Sequence, residues 1–284
     1  MARVAVVGLG AMGRAIVARL LETGHEVVAW NRSPGPVDEA VALGATAAPT
    51  AADAASRSEF VITMVADPAA LAGVTDGPDG ILAGAAPGTA LLQMATVGPE
   101  PVLALAGRMP AGVDLVDCPV LGSISETTGG TLAVFVGGDA ERARPVLTSL
   151  GRVVPVGPIG AGSAAKLVAN STLFGVLGVL GEAVALGDGL GLPREATWEV
   201  LGASPLAAQA ERRRGPLEAG DPPLRFTLTL AGKDAALVAE AAAGAGLTLP
   251  MAAAARSWLR DAIADGRGGN DYSAILAYIV ERAG

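Results

Sequence analysis

The sequence predicts an α/β protein with an N-terminal doubly wound parallel sheet, a long connecting helix and an all-helical remainder. Three observations carry that expectation. Short β-branched runs alternate with Ala-rich helical stretches through residues 1–161, the pattern of strands joined by helical crossovers. A glycine turn of fixed spacing joins the first run to the first helix. From Ser163 onward no strand pattern is found, and helical segments run to the end.

The elements follow in order. Arg3-Val4-Ala5-Val6-Val7 has no polar alternation after Arg3, as in a strand covered on both faces. Gly8-Leu9-Gly10-Ala11-Met12-Gly13 leads into a helix that Gly24 stops after about Thr23. Strands are then expected at Glu26–Trp30, Phe60–Val65, Ala90–Met94, Leu115–Val116, Leu132–Val136 and Val153–Val156, with helices such as Val37–Leu43 and Ala51–Ala55 between them. A helix capped by Ser163 should reach about Gly189. Gly175, Gly178 and Gly181 weaken it by ~1 kcal/mol each relative to Ala. Close packing against a helix partner, between domains or subunits, would account for them. Breakers at Gly191-Leu192-Pro193, Gly220-Asp221-Pro222-Pro223 and Gly266-Arg267-Gly268-Gly269 divide the rest. The expected parts are an α/β domain at 1–161, a connecting helix at 162–190 and a helical domain at 191–284.

Composition narrows the function. The 284 residues are 51% hydrophobic, 17% charged and 3% aromatic, which supports a sizeable core of Ala, Val and Leu. A net charge of −8 argues against a nucleic-acid partner, and Arg212-Arg213-Arg214 reads as a solvated helix face. One cysteine, Cys118, and one histidine, His25, exclude an internal disulfide and leave no cysteine-based or His-rich metal site. His25, beside Gly24, reads as a capping or surface histidine. The apolar stretch from Leu167 to Gly181 contains Asn170 and meets Glu182, so it reads as a buried helix and not a membrane span. With no signal peptide visible, the expectation is a soluble protein of the reducing cytoplasm. Of the twenty Lys and Arg, only Lys166 and Lys233 are lysines. A lysine can give up a proton where a guanidinium cannot, which singles out both for chemistry.

G-x-G-x-x-G is weak alone, but here a strand precedes it and a helix follows, with a second strand behind. Gly8 permits the tight turn, Gly10 lets the backbone approach a pyrophosphate, and Gly13 lets helix and strand pack closely. The amides at the helix start face the anion. At the end of the second strand an NAD enzyme usually carries Asp or Glu. This chain has Asn31-Arg32-Ser33, with a planar cation and an added hydroxyl, which predicts NADP(H) over NAD(H).

A second glycine turn, Gly157-Pro158-Ile159-Gly160-Ala161-Gly162, leads into Ser163-Ala164-Ala165-Lys166. Lys166 and Asn170 stand four apart and so share a helix face. An ammonium and an amide on an otherwise apolar face can bind and protonate a developing oxyanion. A cation is disfavoured near a helix N-terminus, which favours proton donation.

These motifs together resemble the β-hydroxyacid dehydrogenase family, most closely its NADPH-dependent glyoxylate and succinic semialdehyde reductases. The likeness runs through Gly8 to Gly13, Trp30-Asn31-Arg32-Ser33, Met64-Val65-Ala66-Asp67-Pro68, Thr96-Val97 and Asp117-Cys118-Pro119-Val120-Leu121-Gly122-Ser123. It continues through Gly130-Thr131-Leu132, the turn and helix carrying Lys166 and Asn170, Phe226, Lys233-Asp234 and Asp271-Tyr272-Ser273-Ala274. The resemblance implies a Rossmann-type domain holding NADP(H) through Gly8, Leu9, Gly10, Ala11, Met12, Gly13, Asn31, Arg32, Ser33, Met64, Val65, Thr96 and Lys233. It implies Lys166 as the general acid, Asn170 as a positioner, and Leu121, Gly122, Ser123, Phe226 and Asp234 around the substrate. A homodimer or homotetramer is also implied, with 1–161 as the NADP-binding domain, 162–190 as the inter-domain helix and 191–284 as the helical substrate and dimerisation domain.

Two departures matter. The family commonly reads Pro-Val-Ser-Gly where this chain reads Pro119-Val120-Leu121-Gly122, and Ala95 stands where the family has Ser. Losing a hydroxyl that hydrogen-bonds substrate alters preference strongly. The reading is therefore an NADPH-dependent reductase of a small aldehyde, ketone or oxo acid. An imine reductase on the same scaffold is the alternative within the class, with Leu121 and Ala95 for it and Lys166 against. A non-catalytic dinucleotide-binding protein is the alternative outside it.

Overall fold

The computed structural model describes residues 1–219 and 222–283. Gly220 and Asp221, within the expected breaker before Pro222-Pro223, lie outside the described residues, as does Gly284. The chain divides into two compact units, Met1–Leu167 and Val168–Gly284.

The first unit holds a nine-stranded sheet. Its strands are β1 (Arg3–Val7), β2 (Glu26–Trp30), β3 (Thr46–Ala47), β4 (Phe60–Thr63), β5 (Ala90–Gln93), β6 (Asp114–Asp117), β7 (Val120–Leu121), β8 (Leu132–Gly137) and β9 (Gly151–Gly157). Their order is β3-β2-β1-β4-β5-β6-β8-β7, with β9 paired to β8. From β3 to β6 every pairing is parallel. At the far end β8 runs antiparallel to β6 and β7, an added reversal on an otherwise doubly wound sheet.

The unbroken apolar runs of the strands follow from burial on both faces. Val4, Val6, Ile62, Leu92 and Val116 join one core layer, while Ala5, Val7, Val61, Leu91 and Leu115 join the other. That is the period-two alternation of a pleated strand applied to a sheet with two dry sides. The chain order reverses between β1 and β4, so their carboxyl ends form the switch point where α/β sheets bind ligands.

In the second unit the described residues form helices and no further strand, apart from an isolated bridge between Thr227 and Asp271. Phe174, Leu177, Leu180 and Val184 of the long helix Ala161–Gly189 pack with Trp198, Leu201, Leu228, Leu259, Leu276 and Ile279. By length and composition alone this helix is the one described segment apolar enough to cross a membrane. Its buried stripe in this core accounts for that apolarity.

Three expectations are corrected. The helix begins at Ala161, so Ser163 sits within its first turn and does not cap it. Gly181 does meet a close helix partner, the Ile279 side chain, and a Cβ at Gly175 or Gly178 would touch nothing within 4 Å in this chain. Arg213 is not solvated: it is 5% exposed and donates to the Tyr272 hydroxyl at 2.8 Å. Arg214 does pair at the surface, with Glu195 and Glu218. His25 is also buried, with Nε2 3.1 Å from Ser149 Oγ, and burial lowers its pKa.

Candidate active site

The glycine turn leaves β1 and enters the helix Ala11–Glu22. Gly8 has φ +98°, and a Cβ there would lie 2.4 Å from the Met64 carbonyl oxygen. A Cβ on Gly13 would lie 2.0 Å from the Gly8 carbonyl oxygen. Both are needed for the loop to fold. Gly10 differs: its φ of −62° suits any residue, and an added Cβ would meet no protein atom within 4 Å. The fold does not require glycine there, whereas a pyrophosphate lying on the helix amides does. The residues present thus fit a dinucleotide. Gly10→Ala is therefore expected to leave the thermal midpoint of the free protein within about 2 °C while weakening dinucleotide binding at least about tenfold, through crowding of the anion. Thermal melts and a fluorescence titration check this.

Asn31 ties this loop to the end of β2. Its Oδ1 accepts the Leu9 N–H at 2.9 Å, and its Nδ2 donates to Ser33 O at 3.1 Å and Ser33 Oγ at 2.9 Å. The side chain read from sequence as a cofactor contact is thus also a structural tie. Arg32 is exposed beside it, with no ion pair or hydrogen bond among the described residues.

Met64 and Val65 follow β4, where Asp67 caps the next helix by accepting the Ala70 N–H at 2.7 Å. After β5 the buried Gln93 braces the turn that carries Thr96. Its Oε1 accepts the Ala95 N–H at 2.7 Å, and its Nε2 donates to Ala95 O at 2.9 Å. Sequence reading missed Gln93, because a lone Gln in an apolar run gives no sign of its partner.

Asp117, at the end of β6, is fully buried and organises the second turn. Its Oδ2 accepts the N–H of Gly160 at 3.0 Å and of Ser163 at 2.8 Å, and its Oδ1 accepts the Ser163 hydroxyl at 2.7 Å. These satisfy amides that a helix start leaves open. Desolvation raises the carboxyl pKa, against the opposing pull of those hydrogen bonds. A Cβ on Gly162 would come 2.3 Å from the Asp117 carbonyl oxygen, so the backbones touch there. Lys166 follows Ser163 by three residues and therefore stands over the turn that Asp117 holds.

The segment after Pro119 is also specified in detail. Leu121 is 38% exposed. Gly122 has φ +139°, and a Cβ there would collide with Leu132 at 2.5 Å and with Glu126 Cβ at 2.9 Å. Ser123 and Glu126 form a capping box on the short helix Ile124–Thr128. Glu126 Oε2 accepts Ser123 N–H at 2.8 Å, Ser123 Oγ at 2.6 Å and Ser125 Oγ at 2.9 Å. Those hydrogen bonds, the Ser123 hydroxyl foremost, lower its pKa to about 2.

In the second unit Asn170 and Asp234 are buried, and Asn170 Nδ2 donates to Asp234 Oδ2 at 2.8 Å. Lys233 Nζ pairs with Asp234 Oδ1 at 2.5 Å. Asp271 accepts the N–H groups of Arg225, Phe226 and Ser273, which sets the Phe226 backbone, and Phe226 meets Tyr272 edge-on at 5.7 Å. Lys166 belongs to the first unit and Asn170 to the second, one turn apart on the same continuous helix.

A strand, glycine turn and helix at the switch point of this sheet, with room at Gly10 for a phosphate, define a dinucleotide-binding site, and the relatives of the chain make it an NAD(P)-dependent oxidoreductase. A family model described as the NAD binding domain of 6-phosphogluconate dehydrogenase matches residues 3–160. A second, described as the NAD-binding domain of NADP-dependent 3-hydroxyisobutyrate dehydrogenase, matches residues 160–279. The chain belongs to the β-hydroxyacid dehydrogenase family. It is 34% identical to an NAD-dependent L-serine dehydrogenase of Pseudomonas aeruginosa over 97% of both chains. It is 33% identical to a 2-(hydroxymethyl)glutarate dehydrogenase of Eubacterium barkeri, over 96% of this chain and 93% of that one. The solved 3-hydroxyisobutyrate dehydrogenase of Mycobacterium tuberculosis with L-serine is similar at TM-score 0.86 and 29% identity, covering 98% of each chain.

Proposed function

We propose that the protein is an NADPH-dependent reductase of a small aldehyde, ketone or oxo acid, with Lys166 as proton donor. The observation that carries this reading is the fixing of the Lys166 helix on buried Asp117, with Asn170 anchored on Asp234 one turn further along. The glycine turn, Asn31, Arg32, Ser33, Met64, Val65, Thr96 and Lys233 would hold the cofactor. Leu121, Gly122, Ser123, Phe226 and Asp234 would shape the substrate site. When bound, the dinucleotide supplies a hydride to the carbonyl carbon. The Lys166 ammonium hydrogen-bonds the carbonyl oxygen, offsets the charge that grows there and transfers its proton, leaving an alcohol and a neutral amine. In the reverse direction the neutral amine takes the hydroxyl proton. Asn170, held on Asp234, orients the same oxygen. A homodimer or homotetramer in the cytoplasm, with parts at 1–161, 162–190 and 191–284, completes the proposal.

NADP(H) preference is supported by the exposed Arg32 and by the lack of a carboxylate at the end of β2. Arg32→Ala is expected to raise the Kd for NADPH at least about tenfold and that for NADH less than about threefold, because only the former carries the 2′-phosphate that a guanidinium grips. Equal losses would remove the basis for this preference. The reductase reading itself is tested by NADPH turnover on a panel of aldehydes, oxo acids and cyclic imines. Turnover of carbonyls is expected. Turnover of imines alone would assign imine reduction, and tight NADPH binding with no turnover would mark a binding protein.

A further inference from the structure

We propose that Glu126 sets the substrate class by filling the donor groups of the Leu121–Ser125 segment, directing the enzyme to carbonyl compounds that carry no carboxylate. This rests on the reductase reading above, which puts Leu121, Gly122 and Ser123 beside the substrate. Three donors of the segment converge on one oxygen, Glu126 Oε2: the Ser123 N–H, the Ser123 hydroxyl and the Ser125 hydroxyl. A substrate carboxylate needs donors of this kind, and the protein supplies its own carboxylate to them. Gly122 makes the arrangement possible, because any side chain there would strike the Glu126 stem and the Leu132 methyl.

The charge is permanent. With its pKa drawn down to about 2, Glu126 is ionised at any working pH. A second carboxylate on this segment would have to displace Glu126 and would also meet its like charge. Leu121, 38% exposed, adds an apolar surface in place of a hydroxyl, and Ala95, 1% exposed, offers no donor either. A neutral aldehyde or ketone with an alkyl side meets neither obstacle. It loses little water in approaching the isobutyl group and requires no donor beyond those serving the carbonyl oxygen.

The experiment compares matched substrates with NADPH: isobutyraldehyde against glyoxylate, and 4-methylpentanal against succinic semialdehyde. Each pair differs chiefly in a carboxylate exchanged for an isopropyl group of similar shape. Wild-type kcat/KM is expected to favour the neutral member by at least about tenfold, the scale of an unmet carboxylate contact. Glu126→Gln removes the charge and Glu126→Ala also frees the three donors. Both are expected to shift the ratio towards the acid, the Ala variant further, by at least about tenfold and mostly through KM for the acid. Because the ratio is taken within one preparation, partial loss of folded protein cancels. A wild-type preference for the acids, or ratios unmoved in both variants, overturns the inference while leaving the reductase reading intact. A wild type that turns over none of the four overturns the reading and this inference with it.

Discussion

Lys166→Ala is expected to lower kcat for carbonyl reduction by roughly 10²–10⁴-fold, the usual range for removing a positioned general acid. The KM for substrate should change much less, since the lost interaction strengthens as the oxyanion forms. NADPH affinity should stay within about threefold, because in the proposed reading the anion contacts fall to the glycine turn and Arg32 and not to Lys166. Lys166→Arg is informative beside it. A guanidinium keeps the positive charge but does not give up a proton, so it should recover binding and not turnover. Steady-state rates and NADPH fluorescence on the three proteins check these outcomes. Undiminished turnover in Lys166→Ala would remove the proton-donor assignment.

The second large effect is expected at Asp117, and two substitutions separate its parts. Asp117→Ala leaves the N–H groups of Gly160 and Ser163 and the Ser163 hydroxyl without their buried acceptor. Each such group costs about 1–3 kcal/mol, so a loss of at least about 3 kcal/mol is expected, with a fall in kcat as the Lys166 turn loosens. Asp117→Asn places an amide oxygen where Oδ2 stood and can keep both N–H bonds, while its NH₂ can donate to Ser163 Oγ. Its loss should stay below about 1.5 kcal/mol, the net worth of one hydrogen bond. The sign with pH follows from the raised pKa of Asp117, for which desolvation is the main cause. A carboxyl raised in the folded state gives its stabilisation below its unfolded value of 3.8 and loses it as pH rises through the folded value. The balance should therefore move in favour of Asn between pH 4 and pH 7. Urea denaturation of the three proteins at both pH values measures this. Equal losses in the Asn and Ala variants at both would contradict the account of the buried carboxylate.

Asp117 also marks the limit of sequence reading. The strand that ends on it was legible from its apolar run, and so were the turn and helix that it caps. Their connection was not, because its partners lie 43 and 46 residues along the chain. The same cause misplaced the cap onto Ser163, whose local pattern suits a cap but whose hydroxyl is spent on Asp117. The strands expected at Arg3–Val7 and Glu26–Trp30 are found with those bounds. Thr46–Ala47 and Val120–Leu121 were missed, because two-residue strands are formed by a neighbour's backbone and leave no periodic signal. Arg213 was misjudged for a related reason: Tyr272, which holds it, lies 59 residues away. Glu126 differs from these. Ser123 followed three residues later by Glu is a capping-box signature readable in the sequence, and its chemical consequence follows once the three donors are seen on one oxygen.

Isotope transfer tests the central claim most directly. NADPH carrying deuterium at both C4 positions, incubated with the enzyme and isobutyraldehyde, should yield an alcohol with one deuterium on the carbinol carbon, read by NMR. If the label stays on the nicotinamide while NADPH binds normally and every carbonyl offered is recovered unreduced, the protein is not the reductase described.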